Sequence, residues 1–484
     1  MVLITLRMGV LMVGLDQLSS DDDQYRNLAE TLAQTGTYGL RDAATGDAYP
    51  SAFRPPLYPW TLSWFVDSAG NLHNLPAACV NGMLGVLTLL LVALCTRQVL
   101  ADHASPSHID RATALAVFLV GIDPVLLRQS TLVMTETMAT FFSALLLWLW
   151  VTMVRQNAEQ AQAASRFFGG HFTVRLILIG ATMGIAFLCR PTFLVQFAML
   201  VFLMMVAGVW AWIQSRTRDD DVRQHHFAMT KRMLTMIAWT TPWIVLVISS
   251  WTFRNAMQLG HPVWATTHGG YTILLANNPS FYDYLNDQHV TAAMGGPAWD
   301  SQPFFDDWSR RYQWPPVDPK QSLTRPVRDA ACWEWAASNP RQASIEWPTR
   351  PGTDDDSVAM EVLDNGVAGA AAMETIRRRP GDFVFSCVVR LLRLWSPLPM
   401  AVPGRSPLRR YAVGCFYLVV FGVCGIAAVR HRHALFSQVT WMAIACVLSL
   451  SLLHTVYWSN LRMRCPATPA IAILAAMAIC KRKE

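Results

Sequence analysis

About ten stretches of this 484-residue chain are apolar over roughly the length a helix needs to cross a hydrocarbon core, and this feature decides most of what the chain can fold into. They run over Val2–Leu15, Ala77–Cys95, Ala112–Leu126, Met134–Val154, Leu176–Cys189, Phe193–Trp212, Met233–Trp251, Ala412–Val429, Leu435–Val456 and Ala467–Cys480. Lipid offers no partner to a backbone N–H or C=O, and these runs lack the alternation of barrel strands, so each is predicted to be a helix. Composition agrees: 53% of residues are hydrophobic and 15% charged, against roughly 25% charged in soluble domains. The fold class expected is an all-α polytopic membrane protein with about ten transmembrane helices and a mixed soluble region on its outer face. The first segment is short and carries Arg7, but it lacks a small-residue cleavage pattern and reads as an uncleaved helix.

Orientation follows from the Lys and Arg residues of short loops. Arg97 with Arg111, Arg155 with Arg166 and Arg175, Arg216 to Arg232, Arg430 with Arg432, and Lys481 to Lys483 all fall on one side when the helices alternate. That side is predicted to be cytoplasmic and to hold both termini, in the inner membrane of a bacterium. Residues 16–76 and 252–410 then face outward. The division expected is an N-terminal transmembrane module over 1–251, an outer region over 252–410 and C-terminal helices over 411–484.

The same loops account for the net charge of +6, so the basic balance implies no nucleic-acid partner. Asp219–Asp221 lie among basic residues and read as a solvated loop. Nine of the ten cysteines lie in or beside apolar segments and only Cys332 sits well inside the outer region, so no disulfide framework is implied. The outer region is too polar to span yet rich in aromatics, with Trp299, Trp308, Trp314, Trp333, Trp335 and Trp347 available for a small core or for the membrane surface. Helices are predicted near Arg328–Ser338 and over Val358–Arg379, the latter ended by Pro380-Gly381. The run at 383–396 carries Arg390 and Arg393 three residues apart, on one face, and reads as an interfacial helix. No internal repeat is visible, which weighs against a transporter.

Between the first two apolar segments lies the most distinctive stretch, with the acids Asp21, Asp22 and Asp23 ahead of Tyr25 and with Arg54-Pro55-Pro56-Leu57-Tyr58-Pro59 behind them. A cluster of acids just beyond a membrane helix suits a catalytic carboxylate at a water–lipid boundary. The acids suit equally the N-terminus of a helix that includes Tyr25–Ala33.

This stretch, with Leu28-Ala29, Leu32 and Gly36-x-Tyr38, resembles the first outer loop of GT-C superfamily glycosyltransferases, of the protein mannosyltransferase-like and aminoarabinose transferase-like branch (glycosyltransferase family 39 type). Further matches are Thr135-Glu136, Gly184 with Arg190-Pro191-Thr192, Pro242-Trp243 with Arg254-Asn255, Gly269-Gly270 with Asn277-Asn278-Pro279, Ile376 to Pro380 leading into Leu394-Trp395, and Arg462-x-Arg464-x-Pro466-x-x-Pro469. The resemblance implies transfer of a sugar from a polyprenyl-phosphate donor to an acceptor lipid, glycan or protein at the outer face, with inversion. The acid four residues before the tyrosine is Asp21, and Asp22 is its rival as general base. Arg462 and Arg464 are the implied contacts for the donor phosphate, with Arg190, Arg254 and Arg54 in reserve; each alone suits equally a headgroup-level anchor. Tyr25, Tyr58, Glu136, Asn277 and His454 are the implied pocket residues. Glu136 suits orienting the acceptor, completing a divalent-cation site with Asp21, or capping its helix, and metal dependence stays open at this point. Two alternatives stay open: a flippase or transporter of lipid-linked sugar, and a non-catalytic relative.

Overall fold

The computed structural model describes residues 1–42, 45–101, 104–162, 170–215, 220–312, 356–432 and 437–480. The helix expected over 328–338, Cys332, Trp314, Trp333, Trp335, Trp347, Arg166, Arg216, Asp219 and residues 481–483 lie outside them.

The protein is an all-α polytopic membrane protein. All ten apolar segments contain helix, and among the described residues seven helical stretches are long and apolar enough to span: Asn74–Leu100, Glu136–Gln156, Phe172–Cys189, Thr192–Trp210, Met233–Leu259, Pro407–Arg430 and Gln438–Val456. The other three are shorter, each for a visible reason. Helix α1 (Val2–Val13) stops at Gly14. The segment expected over 112–126 is broken in two, because Asp123 accepts the N–H groups of Val125 and Leu126 and caps a new helix that opens with Pro124. The last segment begins as a 3₁₀ turn over Leu461–Ala467, which contains Pro466, before the α-helix Thr468–Met477. The short helices pack against long ones and complete the bundle. Arg7 is tolerated in α1 because its guanidinium donates to the C-terminal carbonyls of Val120 (3.2 Å) and Gly121 (3.4 Å) on the helix Pro106–Gly121.

A cap of smaller elements covers one end of the bundle. Helix α2 (Tyr25–Thr35) is followed by a hairpin of β1 (Gly39–Arg41) and β2 (Ala48–Pro50), with Leu40 opposite Tyr49, and by α3 (Leu57–Ser63). Two further helices, Gly269–Ala276 and Asp356–Arg378, lie against each other, and Pro380 opens the next helix, Pro380–Trp395, rather than a loop. In that helix Arg390 and Arg393 do share a face, but the face is turned inward. Arg390 donates to Thr455 O (2.7 Å), Ala276 O (2.5 Å) and Asn277 Oδ1 (3.0 Å), and Arg393 to Ala292 O (2.6 Å) and the Tyr284 hydroxyl (3.0 Å). The exposed stripe is the apolar one, Val384, Val388 and Leu392.

The contact between Gly269–Ala276 and Asp356–Arg378 depends on Gly270, whose N–H donates to Asn365 Oδ1 (2.6 Å) and whose Cα faces Gly369. A Cβ on Gly270 would fall 1.8 Å from the Asn365 carbonyl oxygen, whereas one on Gly366 meets nothing within 4 Å. Gly270→Ala is therefore expected to cost about 1–3 kcal/mol, while Gly366→Ala in the helix interior is neutral or gains up to about 1 kcal/mol. Thermal unfolding of the purified protein in detergent checks the pair; equal midpoints would remove the close approach from the account.

Candidate active site

The three consecutive acids point in different directions because of one backbone turn. Gln24 takes left-handed angles (φ 62°) and donates its N–H to Asp21 O (2.9 Å), so the chain reverses just before α2. Asp21 is folded back over the helix start and accepts the N–H groups of Arg26 (2.9 Å) and Asn27 (2.8 Å). Burial raises its carboxyl above the usual carboxylate range, with those two N–H groups opposing the rise. Asp22 is exposed and accepts from the Ser20 hydroxyl (3.1 Å). Asp23 faces the bundle: its Oδ1 meets Arg54 Nη2 at 2.5 Å, Arg54 Nε also donates to its carbonyl (3.0 Å), and its Oδ2 lies 3.9 Å from Arg462 Nη1.

Arg54 reaches Asp23 because Pro55 and Pro56 fix the backbone behind it and start α3 one residue later. Tyr58, on the first turn of α3, is fully buried and donates to Asn81 Oδ1 (3.0 Å); Asn81 in turn donates to Ser130 O (3.0 Å) and Leu132 O (3.1 Å). Tyr58 thus ties the outer loop to the ends of two helices and lies behind the charged residues. Tyr25 packs edge-on to it (5.7 Å) under the Arg54 guanidinium (5.6 Å), and burial pushes the Tyr25 phenol up to about 12.

Glu136 opens the helix Glu136–Gln162 and is 3% exposed. One of its oxygens lies 3.6 Å from Arg190 Nη1 and 3.7 Å from Arg462 Nε, and neither nitrogen has a hydrogen-bond partner. One further donor of each arginine meets a thioether sulfur, Arg190 Nη2 that of Met463 (3.2 Å) and Arg462 Nη1 that of Met134 (3.0 Å). Sulfur is a weak acceptor, so two guanidinium groups are held in place by contacts that leave their hydrogen-bonding capacity largely unused. Arg54, Arg190 and Arg462 against Asp23 and Glu136 leave one positive charge over. These residues stand at the ends of antiparallel helices, all at one end of the bundle. Arg97, Arg111, Arg155, Arg175 and Arg430 mark the other.

The remaining candidates are elsewhere. Arg464 is two residues from Arg462 in a 3₁₀ turn, where each residue advances by about 120°, and it points away. It donates to Leu394 O (3.0 Å) and Ser396 O (2.7 Å) and lies 3.9 Å over the Tyr417 ring. Arg254 donates to Ser51 O (2.9 Å), Asn255 Oδ1 (2.9 Å) and Tyr38 O, and so braces the hairpin. Asn277 is fully buried, donates to Ile273 O and Val456 O, and accepts from Tyr282 and Arg390. The His454 Nδ1 lies 2.8 Å from Trp458 O, while its Nε2 is buried without a partner.

A divalent cation between Asp21 and Glu136 does not fit this donor set, since Asp21 is folded back over the start of α2, where each of its oxygens accepts a backbone N–H, and Glu136 is bracketed by two guanidinium groups. Among the described residues no three His, Cys, Asp or Glu side chains converge. Sequence reasoning passed over Asp23, because nothing in a run of three acids reveals which one the Gln24 turn aims inward. It also passed over His268 and Tyr271, which adjoin Arg54 through Phe53 (Phe53 to His268, 4.9 Å).

No protein-family model matches the sequence, and no curated protein matches it at a level that marks a relative. Solved structures to which the chain is similar include the oligosaccharyltransferase AglB from Archaeoglobus fulgidus, in complex with an inhibitory peptide and a dolichol-phosphate. That similarity has a TM-score of 0.44 and 14% identity and covers 98% of this chain and 50% of that one. Another is ArnT from Cupriavidus metallidurans bound to undecaprenyl phosphate, with a TM-score of 0.34 and 15% identity over 99% of this chain and 77% of that one. The chain spans about half the length of AglB.

The opposite settings of the two arginines give opposite expectations. Arg464→Ala leaves two buried carbonyls without their donor and is expected to cost about 3 kcal/mol or more, whereas Arg462→Ala removes no strong hydrogen bond and stays within about 1 kcal/mol. Denaturation midpoints in detergent read the difference, and a larger loss at Arg462 would reverse the assignment.

Proposed function

We propose that the chain is an integral membrane glycosyltransferase that moves a sugar from a polyprenyl-phosphate donor to an acceptor hydroxyl or amine by inverting displacement. The observation that carries this reading is Arg462, which spans Asp23 on one side and Glu136 with Arg190 on the other. A lipid-phosphate sugar is a phosphodiester with one negative charge, the complement of the single positive charge left over in the cluster.

The acceptor oxygen or nitrogen attacks the anomeric carbon from the face opposite the phosphate. The bond between that carbon and the phosphate oxygen breaks, and the electron pair leaves with the phosphate, which gains a second negative charge. Arg190 and Arg462, with unpartnered N–H groups already aimed, stabilise the charge as it develops. The proton released from the acceptor passes to Asp23. Its Oδ1 is held by Arg54 and its Oδ2 is the oxygen available to a substrate, so Asp23, rather than Asp21 or Asp22, is the general base in this reading. Asp21 serves by fixing the turn that aims Asp23, and Glu136 by keeping the two arginines apart and oriented. The arginines of the short connections at the opposite end, Arg97 with Arg111, Arg155 with Arg175, and Arg430, support an outer-face site.

The test is transfer of label from a panel of radiolabelled polyprenyl-phosphate sugars by the protein in nanodiscs. Asp23→Asn is expected to lower turnover by about a hundredfold or more with donor binding retained, while Asp22→Asn leaves it within about twofold for an exposed side chain. Turnover by Asp23→Asn at the wild-type rate would exclude Asp23 as the base.

A further inference from the structure

An aromatic ladder leads away from the Arg54–Asp23 pair. The Arg54 guanidinium lies 4.5 Å over the Phe53 ring; Phe53 meets the His268 ring edge-on at 4.9 Å; His268 lies 4.8 Å from Tyr271, tilted by 33°; and Tyr271 lies 4.8 Å from Phe305, tilted by 37°. Tyr271 is 38% exposed, while the His268 Nδ1 is buried and has no hydrogen-bond partner. Tyr271 belongs to the same site electrostatically: burial raises its phenol, and Arg54 and Asp23 are the charges acting on it.

The ladder is held rigidly from behind. Thr267 donates its N–H to Ala52 O (3.0 Å), which joins the residue before His268 to the residue before Phe53. One Glu361 oxygen accepts both the Ala52 N–H (3.0 Å) and the Thr267 hydroxyl. The Phe53 N–H donates to the Ser51 hydroxyl (2.9 Å). Ring faces fixed in this way, with an unused imidazole nitrogen among them, match a ligand that carries both C–H faces and hydroxyl edges. A lipid acceptor has apolar surface without the hydroxyl edge, and a peptide acceptor needs backbone partners that this row of rings does not supply.

Resting on the reading of the site as a glycosyltransferase, we propose that the acceptor is a carbohydrate. Its ring lies against the exposed part of Tyr271, one hydroxyl bonds to His268, and the attacking hydroxyl is presented to Asp23. The new bond joins that hydroxyl oxygen to the anomeric carbon of the donor sugar; its proton goes to Asp23 and the phosphate leaves with the electron pair.

The experiment uses the full chain in nanodiscs with radiolabelled polyprenyl-phosphate sugars and three acceptor sets: short oligosaccharides of hexose and of N-acetylhexosamine, serine- and threonine-containing peptides, and an amino-headgroup lipid. Label is expected on an oligosaccharide. Tyr271→Ala is expected to raise the oligosaccharide KM about tenfold with donor KM unchanged and kcat within about threefold, and Tyr271→Phe, which keeps the ring, to restore the wild-type KM. As a check that requires no variant, the oligosaccharide that accepts label is expected to slow hydrogen exchange over residues 267–276 of the wild type. Transfer only to peptide or lipid, an unchanged KM in a folded Tyr271→Ala protein, or unaltered exchange over 267–276 would overturn the carbohydrate assignment while leaving glycosyl transfer intact. Failure to consume any donor with any acceptor would overturn the glycosyltransferase reading and this inference with it.

Discussion

The proposed function depends on Arg462, whose guanidinium is, among the described residues, the one group that reaches both the acid of the first outer loop and the acid that opens the helix Glu136–Gln162. Every nearby element can be understood as fixing one side of that bridge. The Gln24 turn aims Asp23, Pro55 and Pro56 deliver Arg54 to it, and Tyr58 through Asn81 fastens the loop to the helix ends that carry Glu136. On the other side Arg464 anchors the 3₁₀ turn to Leu394 and Ser396, so that Arg462 projects the opposite way.

The buried and half-buried arginines fall into two groups by how fully their donors are used. Arg390, Arg393 and Arg254 each donate to at least two oxygen acceptors, and Arg464 to two carbonyls, and these hold one element to another. Arg190 and Arg462 face a carboxylate beyond hydrogen-bond range and thioether sulfurs. An unused N–H in a buried site costs free energy comparable to a lost hydrogen bond. Arg464 Nη2 is likewise buried without a partner, but Arg464 is anchored by two carbonyls; what distinguishes Arg190 and Arg462 is that their guanidinium groups have no oxygen acceptor within hydrogen-bond range, a cost that a ligand would recover.

The apolar periodicity made the bundle legible, and seven of the ten predicted segments reach spanning length. The three that do not are shortened by local events, at Gly14, at the Asp123-Pro124 cap and in the turn with Pro466. Hydropathy averages over such events. The motif residues Arg54, Glu136, Arg190, Arg462 and Tyr25 come together as one cluster. Which of Asp21, Asp22 and Asp23 faces the bundle was not legible, since it depends on a left-handed residue that is not glycine. Nor was the parting of Arg462 from Arg464, since it is the helical turn over Leu461–Ala467, rather than an extended entry to the last helix, that sends residues two apart to different sides. The Phe53–His268 contact joins segments far apart in sequence through a Glu361 clamp, and no local pattern announces it.

The most direct measurement is a cryo-EM structure of the protein in nanodiscs with undecaprenyl phosphate, the chemical class of the leaving group. The account predicts phosphate density within hydrogen-bonding distance of the guanidinium groups of Arg190 and Arg462. A phosphate seated at the opposite end of the bundle, or against Arg464, would contradict it.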